Sequence, residues 1–239
     1  MATILTCCTS SDPGGYPTDT IATRDGDNLK ITFFAHSSLA FEYDGRWIYV
    51  DPVSGNADYA SLPKADFILV SHEHYDHLDS TAIAAIATPD TRIILPESSY
   101  RQLGKGEVMH NGDTLDLGFM QIEAIPAYNT TAGRQQFHPN TGRDNGYLLT
   151  LGGLRVYIAG DSEDTPEMLA LKNIDIAFLP VNQPYTMTEE QAARVVRTMQ
   201  PRIFYPYHYG QVDHKTDLNK LGQLIADLPG VEMRIRPLE

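Results

Sequence analysis

Cysteine is nearly absent from this chain. Its 239 residues hold two, Cys7 and Cys8, side by side near the start. That spacing excludes a disulfide framework and a thiolate metal site. No apolar run approaches the ~20 residues a membrane helix needs. Positive charge is scarce too: 18 Lys and Arg against 31 Asp and Glu leave a net charge of −13. Such a balance repels phosphates overall and argues against a nucleic-acid partner, although a local metal site can still attract an anion. No repeat of 20–50 residues marks a solenoid or propeller. What is present is ordinary globular composition, 42 % hydrophobic and 21 % charged, which excludes a disordered chain. At this length roughly 72 % of the unfolded surface is buried on folding, enough for a core without covalent staples.

Residues 1–28 are rich in Thr, Ser, Asp, Gly and Pro with little periodicity, and are expected to be a flexible extension before a single domain at 29–239. The basic n-region and apolar core of a secretory signal are missing, so a cytoplasmic location is expected. The alternative is the end of a lipoprotein-type signal at Leu5-Thr6-Cys7. Downstream, strands and helices interleave. Leu39–Tyr43 and Arg46–Val50 are predicted as a hairpin, and Ala65–Val70 as a buried strand. Residues 79–87 are expected as a helix capped by Asp79 or Ser80. Residues 188–200 are expected as a helix with a Thr188/Gln191 capping box. Residues 128–144 form a long polar loop. This interleaving predicts an α/β layered fold.

One cluster carries the chemistry. Residues 71–79 read Ser-His-Glu-His-Tyr-Asp-His-Leu-Asp, after a predicted strand and before a predicted helix. In an extended segment His72 and His74 point to the same side. Asp76 and His77 come where the chain turns and aim elsewhere. The ligands therefore divide into two pairs, suited to two adjacent ions, and imidazole with carboxylate favours Zn, Fe or Mn over Ca or Mg. A solvated His-rich turn is the bland alternative. Two later positions match by kind. Asp161 follows a strand and Gly160, as a bridging carboxylate or an ordinary turn residue, and His208 lies past a strand end among aromatics, as a ligand or a packed histidine.

The order His-x-His-x-Asp-His, then Gly-Asp, then a strand-end His resembles the metallo-β-lactamase superfamily over about residues 29–239. Within it, Phe34-Ala-His36-Ser-Ser-Leu39, Tyr49-Val-Asp51-Pro52, Tyr157-Ile-Ala-Gly-Asp-Ser162 and Pro206-Tyr-His-Tyr-Gly210 resemble the branch of ascorbate-6-phosphate lactonase and N-acylphosphatidylethanolamine phospholipase D. The resemblance implies a four-layer αβ/βα sandwich with the site at one edge of two sheets. It implies that His72 and His74 serve one ion, that Asp76, His77 and His208 serve the other, and that Asp161 bridges. It also places His36 near the site. The family's third histidine for the first ion normally follows the strand ending near Ile125-Pro-Ala127, where this chain has Tyr128-Asn129-Thr130. His138, in the same loop, is the expected substitute; Asn129 as a weak oxygen ligand, or no ligand, are the alternatives.

The implied activity is metal-dependent hydrolysis. Two divalent ions, zinc first and manganese or iron next, would activate water against an ester, lactone or phosphodiester of a small molecule, an anionic one being admissible. Asp76 is the candidate to orient the nucleophile or take its proton, with His36 beside it. Tyr185, Tyr207 or Tyr209 are candidate oxyanion donors. Arg134 and Arg143 are either substrate readers or solvated loop residues. An iron oxidoreductase on the same scaffold and a non-catalytic binding protein are the alternative functions.

Overall fold

The computed structural model describes residues 10–11, 14–210 and 215–238; Cys7, Cys8 and His214 lie outside them. The first sheet runs in chain order: β1 (Ser10–Ser11), β2 (Pro17–Ala22), β3 (Asn28–Phe33), β4 (Leu39–Tyr43), β5 (Arg46–Val50), β6 (Phe67–Leu69), β7 (Arg92–Leu95) and β8 (Glu107–Val108). The second sheet also follows the chain from one edge: β9 (Thr114–Asp116), β10 (Met120–Ala127), β11 (Asp144–Leu151), β12 (Leu154–Ile158), β13 (Ile176–Pro180), β14 (Ile203–Tyr207) and β15 (Glu232–Met233). Each sheet begins antiparallel and becomes parallel, at β5–β6 in the first and β12–β13 in the second. The parallel pairs need crossovers. α1 (Ser80–Ile86) and α2 (Glu97–Leu103) serve the first sheet, and α3 (Pro166–Ala170), α4 (Glu189–Met199) and α5 (Leu218–Leu224) the second.

Alternating side chains sort into three cores, which makes four layers. Ile48 and Val50 of β5, Phe67 and Leu69 of β6, Ile176 and Phe178 of β13, and Tyr205 of β14 fill the space between the sheets. Tyr49, Ile68 and Ile93 face the other way and meet Ile83 and Ile86 of α1. Ala177, Leu179 and Phe204 pack on Ala192, Val195, Val196 and Met199 of α4. Strands β6 and β13 are buried on both faces, which is why their sequences are unbroken apolar runs. This is the expected αβ/βα sandwich.

One expectation is corrected. Part of the extension expected to be flexible over 1–28 is a strand: β2 pairs with β3 from Thr18↔Thr32 to Ala22↔Asn28. Its composition hid it, because the buried positions include Thr18 and Asp19 beside Ile21. Burying Asp19 is possible because Arg236, 217 residues away, forks onto its carboxylate at 2.6 and 2.7 Å. No helix among the described residues is long and apolar enough to cross a membrane.

Candidate metal centre

The centre forms where strand ends from both sheets converge. His36 follows β3, Asp51 follows β5, residues 71–77 follow β6, Asp161 follows β12 and His208 follows β14. The two sheets are tied at this edge by Asn145 N–H donating to the Ser71 carbonyl at 2.9 Å and by the Tyr147 hydroxyl donating to the Val70 carbonyl at 2.7 Å. The approach is close at Gly160. With φ at +63°, a Cβ there would stand 2.9 Å from the Asn145 carbonyl oxygen. His36, Asp51 and His208 also adopt positive φ (55°, 44° and 49°), a conformation that costs energy in residues other than glycine and concentrates at functional sites.

The ligand-type atoms gather in three overlapping groups: His72, His74 and His138; His36, Asp76, His77 and His208; and His72, His77 and Asp161. Asp161 is common ground. Its Oδ2 lies 3.4 Å from His138 Nε2, 3.2 Å from His208 Nε2 and 4.0 Å from His72 Nε2, while its Oδ1 lies 3.3 Å from His77 Nε2. His72 Nε2 and His74 Nδ1 are 3.1 Å apart. Two ligands each about 2.1 Å from a tetrahedral ion stand about 3.4 Å apart, so this spacing fits donors around an ion. The His77 and His208 Nε2 atoms and Asp161 Oδ1 are buried without a hydrogen-bond partner. Unpaired buried groups of this kind are costly unless a cation satisfies them.

The outward-facing nitrogens are held by further residues. The Ser71 hydroxyl donates to Asp51 Oδ2 at 2.6 Å and is left to accept from His72 Nδ1 at 2.9 Å. His77 Nδ1 donates to Asp51 Oδ2 at 2.8 Å, and His138 Nδ1 to Asp144 Oδ2 at 3.0 Å. The Asn182 side-chain amide sits 3.0 Å from His208 Nδ1. The near atom is Nδ2; exchanging the amide's nitrogen and oxygen brings Oδ1, which has no partner, into position to accept the Nδ1 proton and leave Nε2 a lone pair. Fixing the tautomer in this way is how metal-binding imidazoles are oriented. Asp51, Asp144 and Asn182 were not singled out as site residues. Only Asp51, placed directly after a strand and before a proline, carried a sequence signal.

The electrostatics follow from crowding. Burial and the neighbouring His77 hold His72 well below the ordinary imidazole range. Burial opposes charge on His77 as well, but the Asp161 and Asp51 carboxylates outweigh it and push its pKa up. Burial and the adjacent His208 lower His36 to about 4, so its ring is neutral at pH 7. Its Nε2 lies 3.2 Å from Asp76 Oδ2. Burial disfavours the Asp76 carboxylate, yet this hydrogen bond and the charge of His77 keep the group below the usual carboxylate range.

The structure thus gathers all eight positions expected at the site: His36, His72, His74, Asp76, His77, His138, Asp161 and His208. Asn129 has another visible task. Its backbone N–H donates to the His138 carbonyl at 2.8 Å, and its Nδ2 to the Tyr185 and Arg134 carbonyls at 2.7 and 3.2 Å. Tyr207 and Tyr209 are buried, with hydroxyls spent on the Gly160 and Arg236 carbonyls, so of the three candidate donors Tyr185 alone lines the cleft. Arg134 pairs with Glu163 at 3.2 Å, and Arg143 pairs with Asp144 at 2.6 Å and Glu73 at 3.4 Å. Neither is a solvated loop residue. His110 is exposed beside Asp113 in a turn.

Comparison with known proteins agrees with this arrangement. Residues 30–208 match the model of the beta-lactamase superfamily domain. A UPF0173 metal-dependent hydrolase of Ligilactobacillus salivarius is 30 % identical over 191 residues, covering 76 % of this chain and 85 % of the relative. A candidate metal-dependent hydrolase from Parabacteroides distasonis, known from its crystal structure, is 55 % identical, covers 94 % of this chain and all of its own, and superposes with a TM-score of 0.89. Igni18, a metallo hydrolase from Ignicoccus hospitalis, is 24 % identical with a TM-score of 0.71 over 88 % of this chain and 96 % of its own, a likeness of fold. With the family model covering most of the sequence, the chain belongs to the metallo-β-lactamase superfamily, among relatives named UPF0173 metal-dependent hydrolases.

Proposed function

We propose that this protein is a hydrolase built on a two-ion centre. His72, His74 and His138 would hold one ion, Asp76, His77 and His208 the other, and Asp161 would lie between. The observation that carries this reading is the Asp161 carboxylate, with ligand nitrogens of His77, His138 and His208 at 3.2–3.4 Å and no hydrogen-bond partner on Oδ1. The donor set of imidazole and carboxylate suits Zn, Mn or Fe. Bound there, the ions would bring the pKa of a water from 15.7 toward about 7 and neutralise negative charge developing on an ester, lactone or phosphodiester.

The chain's own residues supply the rest. Asp76 lines the cleft with its side chain part exposed and stays ionised at pH 7, so it can orient the attacking water and accept its proton. Neutral His36 donates from Nε2 to Asp76 Oδ2 and fixes the carboxylate's direction. The backbone N–H of His208 donates to the His36 carbonyl at 3.0 Å, so the two residues move together. The segments that resemble the lactonase and phospholipase D branch, Phe34–Leu39 and Pro206–Gly210, are the ones that build this pair. Asn129 stands where the third histidine of the first ion is expected, and it braces the loop that brings His138 in.

Metal content of protein purified without chelator tests the reading. About two Zn, Mn or Fe per chain are expected, with about one in His138→Ala and about two in Asn129→Ala. The reverse ranking of the two variants would reassign the third ligand to Asn129. No bound metal after reconstitution with Zn or Mn would remove the hydrolase mechanism and leave a binding protein.

A further inference from the structure

The cleft over the centre has a volume of about 670 Å³, and its walls differ in chemistry from its floor. The floor is Asp161, His208 and their neighbours. The walls are Tyr75, Phe137 and Tyr185, with Gln102 and Glu73 beside them. Tyr75 is 86 % exposed although it sits one residue before Asp76. A large aromatic left in water at a cleft mouth offers a flat apolar surface to a ligand. Phe137 and Tyr185 meet edge to face with ring centroids 4.8 Å apart. Their backbones are fixed by the residues that build the centre. The Phe137 carbonyl accepts from Arg143 at 2.9 Å, and the Tyr185 carbonyl accepts from Asn129 at 2.7 Å. The aromatic walls are therefore set relative to the floor.

The cations nearby are committed elsewhere. Arg143 forks onto Asp144 and reaches Glu73, and Arg134 is held by Glu163 and by Gln183 at 3.3 Å. Among the described residues no Lys or Arg lines the cleft, and Glu73 contributes an acid to its wall. A phosphodiester or a multiply charged acid would find ions at the floor and no guanidinium along its length.

We propose that the cleft takes an uncharged ester or lactone carrying an aromatic or flat apolar group, which lies between Tyr75 and the Phe137–Tyr185 pair while its carbonyl reaches the floor. This rests on the two-ion hydrolase reading and narrows its substrate class. The reaction adds water across the acyl C–O bond: the acyl carbon gains the hydroxyl, and the alkoxide leaving group gains the proton.

The test compares dihydrocoumarin, γ-butyrolactone and bis(p-nitrophenyl) phosphate on the metal-loaded full chain, each rate taken relative to its uncatalysed hydrolysis. Dihydrocoumarin is expected to show the largest acceleration and a KM at least tenfold below that of γ-butyrolactone. Phe137→Ala should raise the dihydrocoumarin KM about three- to tenfold and move that of γ-butyrolactone by less than about twofold. A larger acceleration of the phosphodiester, or equal KM values for the two lactones in wild type, would overturn the proposal and keep the hydrolase reading. No hydrolysis of any of the three by protein carrying two ions would overturn both.

Discussion

Glu163 shows what a single buried carboxylate does near this site. Its side chain is fully buried and accepts from the Thr130 and Thr131 backbone N–H groups at 2.8 and 2.5 Å, from the Thr130 hydroxyl at 3.1 Å and from Arg134 at 3.2 Å. Burial alone would raise its pKa, but these donors win and hold it below the ordinary value of 4.5. A carboxylate whose folded pKa is depressed adds stability that is present above the unfolded pKa and is lost as pH falls through the folded one. Glu163→Gln is therefore expected to cost about 1–3 kcal/mol at pH 7. The variant should also lose less stability than wild type between pH 5 and pH 3. Thermal melts of chelator-treated protein across that range measure the difference, and parallel curves for the two proteins would contradict it. The same scale explains how His138 is held beside His72 and His74. Asp144 holds its ring from behind while Arg143 forks onto that carboxylate, and Asn129 holds its backbone.

At the scale of elements, the start of α1 sets the direction of the segment from His72 to His77. His77 and Leu78 N–H groups both donate to the His74 carbonyl, at 3.0 and 2.8 Å, closing a turn immediately before the helix. Asp79 then caps it, accepting from Thr81 at 2.7 Å and Ala82 at 3.3 Å, and also takes the Ser54 N–H at 2.8 Å. Asp79→Ala should cost about 0.5–2 kcal/mol. For a chain of this size, each kcal/mol lowers the Tm by about 2–4 °C. A calorimetric scan checks this, and an unchanged Tm would mean the cap is idle. Helix α4 carries the expected capping box, with Thr188 and Gln191 exchanging hydrogen bonds at 2.9 and 3.1 Å. This signature made α4 legible from the sequence. Helix α2 was not, since its start after Pro96 has no side-chain cap.

At the scale of the whole molecule, Asp19 and the 234–238 segment form a clasp. Asp19 of β2 receives Arg236, Arg234 at 3.2 Å and the Tyr205 hydroxyl. The segment carrying Arg236 then reaches the site, where the His36 N–H donates to the Leu238 carbonyl at 2.7 Å. Removing one partner of a buried ion pair leaves the other uncompensated. Arg236→Met should destabilise the fold by about 3–5 kcal/mol, and Asp19→Asn in the same chain should recover part of that loss. Urea denaturation of the single and double variants measures both numbers. If the double variant is worse by the sum of the two single losses, Asp19 and Arg236 act independently and the clasp is not a unit.

The sequence by itself determined the layered α/β architecture, the hairpin of β4 and β5, the buried strand β6, and the cluster from His72 to His77. Each of these rests on contacts between residues near one another in the chain: period-two burial, capping side chains, and candidate ligands packed into one turn. Tertiary structure alone decided the rest. It made contacts of Asp161, His138 and His208, which the family resemblance had pointed to, by bringing them to that cluster from three distant segments, made a strand of a polar segment by pairing Asp19 with Arg236, and turned Arg134 and Arg143 inward. Spacing along the chain cannot report these pairings, because the free energy that selects them comes from burial and charge pairing between residues tens to hundreds of positions apart.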